Sequence, residues 1–196
     1  MFATTNTAKV QSLKVFIKDL DIEILSFKDL DYTIPEPIEN ALDAVEIAKL
    51  KAKYYWDNLK VKMPIIAQDD TFFLENVSDK DNPGIDTKVP VIKRFGTFND
   101  ENSVKYYIEL AKKYGGEIPF KFKYGHALAD ENVLEGRASS LPGILVSTPK
   151  LPIIQNYPLN SLIKIKVNEV WKYYGDLTED ELIESVTYLI KKYIFK

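Results

Sequence analysis

Residues 63–71 of the 196-residue chain read MPIIAQDDT, an apolar run that passes abruptly into an acidic pair. A short apolar run of this kind is typical of a buried strand. We therefore predict a strand over residues 63–67, with Asp69 and Asp70 just beyond its end. Two adjacent carboxylates repel each other, so they stay ionised most readily where a cation lies beside them, as at a metal site. The alternative is a turn capped by aspartate.

The start of the chain, MFATTNTAKV over residues 1–10, has the same arrangement. A short strand is predicted over residues 1–5, and Thr5, Asn6 and Lys9 lie where it passes into a helix. The apolar residues of that helix recur at steps of three and four: Val10, Leu13, Ile17 and Leu20. Small polar residues at such a junction cap the helix, and the N–H groups of its first turn attract anions. The junction is therefore either a phosphate site or an ordinary helix cap.

Strands and helices alternate along the rest of the chain. The patterns predict a strand over residues 22–27, helices over 45–55 and 99–114, a hairpin of 120–128 with 133–139, and a last helix after the capping box Thr178 to Glu181. This order predicts one α/β domain over residues 1–196, with a central mixed, twisted sheet and helices on both faces. We expect two lobes around a ligand cleft, the second spanning roughly residues 118–170. Open α/β sheets bind ligands beyond the carboxyl ends of their strands, where both polar clusters are expected.

Composition excludes several classes of site. The chain has no cysteine and one histidine, His126, so any metal must be held mainly by oxygen ligands. A net charge of −3 disfavours a broad nucleic-acid surface, which needs a basic face. No long uncharged apolar run and no signal peptide are evident, so we expect a soluble, cytoplasmic protein without a membrane segment. His126 lies in the alternating stretch FKFKYGHAL and is expected to be a sheet residue.

At this point the sequence resembles the inosine triphosphate pyrophosphatases, the Ham1-like family. Ala3–Lys9 matches the family's opening Ala-Thr-x-Asn-x-x-Lys. Glu46 followed five residues later by Lys51 looks like its second motif, and Gln68–Thr71 resembles its acidic third motif. Pro83 and Gly84 fall where the family has a Pro-Gly turn. These matches run in order over the first 90 residues or so.

Two glutamates compete for the second motif. Glu39, in Glu39-Asn40-Ala41, is superficially closer to the bacterial form, but position 44 is alanine where that form has lysine. Glu39 lies 30 residues before Asp69, and Glu46 lies 23 residues before it. The family's interval is near the shorter value, so Glu46 is preferred.

The resemblance implies an Mg²⁺-dependent enzyme that hydrolyses noncanonical purine nucleoside triphosphates to monophosphate and pyrophosphate. It implies a metal site at Glu46 and Asp70, with Asp70 as the proposed base and Asp69 beside it. It also implies a set of substrate-binding residues: Thr5, Asn6, Lys9 and Lys51 for the phosphates, Lys88 as a further basic contact, and Tyr157 for stacking on the base. The family is commonly homodimeric.

The second half departs from the family pattern. The family grips the base with a Gly-Phe-Gly-Tyr-Asp-Pro segment and a Ser-His-Arg segment, and the nearest equivalent here is Asn156-Tyr157-Pro158-Leu159. Two alternatives therefore stay open. One is a pyrophosphatase for modified pyrimidine nucleotides, like the septum-formation proteins. The other is a nucleotide-binding or interaction module that has kept the fold without turnover.

Overall fold

The fold combines helices with a five-stranded sheet, seen in a computed structural model that describes residues 1–4, 6–18, 20–39 and 43–182. The α-helices of the described residues are α1 (Thr7–Phe16), α2 (Ala44–Asn58), α3 (Val89–Phe95), α4 (Asp100–Lys113) and α5 (Glu179–Leu182). The strands are β1 (Ile65–Leu74), β2 (Glu117–Asp130), β3 (Val133–Val146), β4 (Ile163–Val167) and β5 (Val170–Tyr173). Single 3-10 turns occupy Phe27–Asp29, Asp79–Asp81, Pro158–Ser161 and Tyr174–Asp176.

The sheet has the order β1-β2-β3-β4-β5. β3 and β4 pair antiparallel with Ile144 opposite Lys164, and β4 and β5 pair antiparallel with Val167 opposite Val170. Asn168 and Glu169 join β4 to β5 with φ of 47° and 66°, the positive values that suit a tight two-residue hairpin. At the other edge Phe2 forms a parallel bridge with Ile66 of β1. The predicted α/β class is confirmed, although the β3–β4 and β4–β5 pairs are antiparallel and the parallel contact at Phe2 is an isolated bridge.

Three of the predicted strands differ from the observed ones. In place of the strand predicted over residues 1–5, the described residues 1–4 contain only an isolated bridge from Phe2 to Ile66. Residues 22–27 form no strand, because the segment makes one bond to the chain start, from Phe2 N to Leu25 O at 2.8 Å, rather than a ladder. β1 does not end at Ala67 but continues through the acidic pair to Leu74. From the sequence alone, the polar residues 68–71 indicate that the strand has ended. In the structure their side chains are partly buried, and apolar residues follow them.

Other predicted elements match the observed ones. The helix predicted over residues 99–114 is α4, and the Asn99 side chain caps it by accepting from Asn102 N at 2.8 Å. The predicted hairpin is β2 with β3, both longer than expected. The capping box is present, since Thr178 N donates to Glu181 Oε2 at 3.1 Å and Glu181 N donates to Thr178 Oγ1 at 3.3 Å. The apolar residues expected after Leu182 lie outside the described residues.

The chain divides into two compact units. The first includes Met1–Asp70 and Tyr124–Ser139, and the second is formed by Thr71–Lys123 and Ser140–Glu181. The single-domain assignment, the lobe limits near residues 118–170 and the cleft stay predictions. Among the described residues, no helix combines the length and the apolar character that crossing a bilayer requires.

The core of the first unit lies where α2 packs on small residues. Ala48 and Ala52 of α2 are fully buried, and they belong to one cluster with Ala127 and Ala129 of β2. Alanine has no side chain beyond Cβ, so helix and strand approach closely here. The helix begins at Asp43, whose Oδ1 accepts from Val45 N at 2.8 Å and from Glu46 N at 3.3 Å.

The core of the second unit is aromatic. Phe72 of β1 has ring centroids 5.1 Å from Phe120, 4.8 Å from Phe122 and 5.9 Å from Tyr107. Tyr107 is completely buried, and its hydroxyl donates to Thr87 O at 3.0 Å, which satisfies its one polar atom. The aromatic half of β1 therefore anchors α4 to the sheet.

Asp81 fixes the loop before α3 to the end of α4. Its Oδ2 accepts three hydrogen bonds of 2.6 Å, from Lys113 Nζ, Ser78 Oγ and Tyr114 Oη. The Lys113 ammonium, together with the two hydroxyls, holds the pKa of Asp81 well below its usual value. We expect Asp81→Asn to lower the free energy of unfolding at pH 7 by about 1–2 kcal/mol in urea denaturation, because an amide replaces a charged acceptor. Asp79→Asn is the exposed control, and an equal loss in both variants would contradict this role.

Candidate functional site

Each aspartate of the acidic pair in β1 has its own lysine. Lys9 Nζ of α1 lies 2.9 Å from Asp70 Oδ1, and Lys51 Nζ of α2 donates to Asp69 Oδ2. Successive side chains of a strand point to opposite faces, which agrees with partners on two different helices. The structure therefore brings together four residues that the sequence analysis selected. Lys9 and Asp70 are 61 positions apart in the sequence, and Lys51 and Asp69 are 18 positions apart.

The turn before α1 is ordered by its polar residues. Asn6 Oδ1 accepts from Lys9 N at 3.4 Å, and Asn6 N donates to Thr4 Oγ1 at 3.1 Å. Asn6 thus caps α1, which was one of the two interpretations of the sequence. The cap also aligns the first turn of α1 so that Lys9 reaches Asp70. Thr5, predicted to bind phosphate, lies outside the described residues.

Lys51 joins two carboxylates. Besides Asp69 it contacts Glu39, whose Oε1 lies 3.0 Å from Lys51 Nζ. The side chains of Lys51 and Asp69 are only 17% and 13% exposed, so this pair is shielded from water. Glu39 was the glutamate set aside when the motif was assigned. The Glu-Asn-Ala sequence at Glu39 resembles the family's second motif. Glu39 was nevertheless not assigned to that motif, because position 44 lacks the lysine.

Glu46 has a different environment. It lies in the first turn of α2 with a side chain 59% exposed, and it accepts from Lys49 Nζ at 3.1 and 3.3 Å. Within the described residues no group of three or more acidic or histidine side chains is arranged to hold a metal ion. The metal site at Glu46 and Asp70 therefore stays a prediction.

The acidic pair nevertheless fits the chemistry of Mg²⁺. This ion is usually held by one or two carboxylates together with substrate phosphates, rather than by a complete protein cage. Asp70 is partly exposed, with 30% of its side chain accessible, and Asp69 adjoins it in β1. Oxygen donors of this kind suit a hard cation.

The remaining predicted substrate contacts belong to the second unit. Lys88 is the residue before α3, where its N–H donates to Asp86 Oδ1 at 2.8 Å and its Nζ lies 5.5 Å from the centre of the Phe98 ring. Tyr157 begins the 3-10 turn Pro158–Ser161 and donates from its N–H to Ile154 O at 3.1 Å. Their contact with substrate stays a prediction.

His126 is a residue of β2, as predicted, and it is only 2% exposed. Its Nε2 lies 3.0 Å from Ser139 Oγ, while its buried Nδ1 has no hydrogen-bond partner among the described residues. Burial lowers the pKa of His126 to about 4, and the nearby charge of Asp70 opposes that shift only in part. The ring is therefore neutral at pH 7 and holds no proton to donate as an imidazolium.

The sequence profile of the Ham1 family matches residues 1–148, which include the lysine and aspartate pairs on α1, α2 and β1. The chain belongs to the Ham1 family. The resemblance to the Ham1-like family is thereby confirmed. No curated protein matches the chain.

Solved structures have the same fold. A HAM1 protein from Coxiella burnetii superposes with a TM-score of 0.70 at 14% identity, covering 99% of this chain and 96% of the other. The Staphylococcus aureus Ham1 protein gives 0.65 at 15% identity with the same coverage. A nucleoside-triphosphatase described as a dITP/XTP pyrophosphatase from Mycobacterium abscessus gives 0.64 at 13% identity, covering 98% and 96%. At these identities the likeness concerns the fold.

Proposed function

We propose that this protein hydrolyses noncanonical purine nucleoside triphosphates, such as inosine and xanthosine triphosphate and their deoxy forms, to monophosphate and pyrophosphate with Mg²⁺. The observation that carries the proposal is the convergence of Lys9 and Lys51, from two helices, on adjacent aspartates of one strand. Family membership and a structural neighbour described as a dITP/XTP pyrophosphatase support the substrate class. Removal of such nucleotides from the cellular pool is the corresponding role, with a homodimer in the cytoplasm.

Binding of the triphosphate is assigned to the lysines and the turn before α1. Lys9 and Lys51 carry the positive charge that neutralises phosphate oxygens, and Asn6 holds the first turn of α1 in place beside them. Lysine suits this role because its ammonium is a compact charge on a flexible stem that follows a phosphate oxygen. Thr5 is proposed as a further contact in the same turn.

Hydrolysis is assigned to the acidic pair. Asp70 accepts the proton of the attacking water as the bond between the α and β phosphates breaks, and pyrophosphate leaves. Asp69 keeps Lys51 in position and adds negative charge beside Asp70. These carboxylates, with Glu46 or Glu39, would hold Mg²⁺, which would stabilise the charge that develops on the phosphates. His126 is only 2% exposed and does not face the solvent from which the water comes, so Asp70 is the preferred base.

The test is pyrophosphate release with Mg²⁺ from inosine, xanthosine, deoxyuridine, modified-pyrimidine and the four standard triphosphates. We expect the inosine and xanthosine nucleotides to be preferred. Asp70→Asn should lower kcat/KM about 100-fold, because the amide cannot accept the proton. Asp57→Asn is the matched control, since Asp57 pairs with Lys53 on the exposed side of α2, and its kcat/KM should equal that of the wild type.

The other outcomes separate the alternatives. A preference for modified pyrimidines would favour a pyrophosphatase like the septum-formation proteins. Binding of a nonhydrolysable triphosphate without any pyrophosphate release would favour a binding module. Equal release by Asp70→Asn and the wild type would contradict the proposed role of Asp70.

A further inference from the structure

Each aspartate of β1 already has a cation beside it. Lys9 Nζ lies 2.9 Å from Asp70 Oδ1, and Lys51 Nζ contacts Asp69 and, at 3.0 Å, Glu39. Two ammonium groups thus face three carboxylates, a formal charge of −1 for the five side chains. The carboxylates that could bind a metal ion are therefore paired with the lysines that could bind phosphate.

We propose that Lys9 and Lys51 are exchangeable counter-ions, so that a divalent cation and a polyphosphate bind to this group with positive cooperativity. The inference rests on the proposed function, because it concerns the same site. A cation that takes over the carboxylates releases the lysines for phosphate oxygens. A polyphosphate that takes over the lysines releases the carboxylates for the cation. Coupling of this kind is reciprocal, so each ligand raises the affinity for the other by the same factor.

Lys51 carries most of this coupling. Its side chain and that of Asp69 are 17% and 13% exposed, against 32% and 30% for Lys9 and Asp70. A charge in a shielded pair cannot give up its partner without a replacement, because an uncompensated buried charge is strongly unfavourable. An exposed pair is screened by water and salt and contributes little. The exchange at Lys51 therefore makes the affinity for the cation depend on whether the polyphosphate is bound, and the reverse.

The first arm of the test measures the cation alone. Mn²⁺ serves as the probe, because it binds oxygen ligands and its free form is followed by electron paramagnetic resonance. We expect Lys51→Met to bind Mn²⁺ about tenfold more tightly than the wild type at pH 8, since Asp69 and Glu39 lose their resident cation. Lys53→Met, on the same helix but paired with the exposed Asp57, should leave the Mn²⁺ affinity unchanged.

The second arm measures the anion alone. Tripolyphosphate is titrated calorimetrically in the presence of a chelator, so that no divalent cation contributes. We expect Asp69→Asn to bind tripolyphosphate about tenfold more tightly than the wild type, because Lys51 is released from its closest carboxylate. Asp57→Asn is the matched control and should bind it like the wild type.

Both arms have an outcome that overturns the proposal. If Lys51→Met binds Mn²⁺ no more tightly than the wild type, or Asp69→Asn binds tripolyphosphate no more tightly, the lysines are not exchangeable counter-ions. Thermal unfolding of each variant, with Lys51→Gln as a second substitution, ensures that folded protein is compared. Neither arm depends on turnover. Failure of every nucleotide to release pyrophosphate would therefore sink the proposed function while the binding result still decides the exchange.

Discussion

Gly125→Ala is expected to lower the free energy of unfolding by more than about 3 kcal/mol, enough to leave little folded protein at 37 °C. A Cβ at Gly125 of β2 would lie 2.1 Å from both the carbonyl carbon and the oxygen of Ala44, and 2.3 Å from Val45 N. These atoms are backbone in the first turn of α2. They cannot rotate away, so the helix itself would have to move from the sheet.

The displacement would also reach the candidate site. Lys51, which pairs with Asp69, is a residue of α2. Because α2 packs closely through the buried Ala48 and Ala52, a shift at its first turn would displace the rest of the helix. Any folded Gly125→Ala protein is therefore expected to lose pyrophosphatase activity as well as stability.

Gly136 in β3 provides the matched control for this substitution. The three atoms nearest to a Cβ there belong to side chains: Lys49 Cδ at 2.6 Å, and Lys49 Cγ and Val45 Cγ1 at 2.7 Å. The Lys49 side chain is 32% exposed and can swing into water. Gly136→Ala should cost no more than about 1–2 kcal/mol. Urea denaturation measures the free energy of unfolding of both variants. Similar losses of stability in the two would contradict a backbone clash at Gly125.

Local signals accounted for much of the fold. The capping box at Thr178 and the apolar spacing of α2 and α4 predicted helices that the structure contains, because both patterns depend on residues close together in the sequence. The end of β1 was misplaced for the same reason. Asp69 and Asp70 look like a strand end until their lysines, contributed by distant helices, are in place.

The candidate site was predictable only as far as its residues fall in ordered motifs. Lys9, Lys51 and the acidic pair were found through the resemblance and lie together in the structure. Glu39 was passed over because position 44 is alanine where the motif has lysine, and because Glu39 lies 30 residues before Asp69 whereas Glu46 lies 23 residues before it. Its approach to Lys51 is a tertiary contact that spacing in the sequence cannot express.

The buried His126 is expected to make the protein less stable in acid. Its pKa is about 4 in the folded chain and about 6.5 when unfolded, so between these values the unfolded state binds a proton that the folded state does not. Stability therefore falls as the pH drops from 6.5 toward 4 and levels off below that for this group. The contribution between pH 7 and pH 4 is about 3 kcal/mol.

His126→Gln isolates this contribution, because glutamine keeps a polar group near Ser139 and does not titrate. Carboxylates also titrate near pH 4, so the quantity to compare is the change in unfolding free energy between pH 7 and pH 4 in each protein. We expect that change to be smaller in the variant by about 3 kcal/mol. An equal pH dependence in both proteins would mean that folded His126 accepts a proton readily.

The same measurement bears on the proposed chemistry. A histidine that gains its proton only near pH 4 is not an acid at pH 7, and among the described residues no acceptor faces its Nδ1 to stabilise an imidazolium. If His126→Gln retains kcat/KM while its acid stability changes as expected, the histidine is a structural residue of the sheet. Asp70, which is partly exposed beside Lys9, then stays the base of the proposed mechanism.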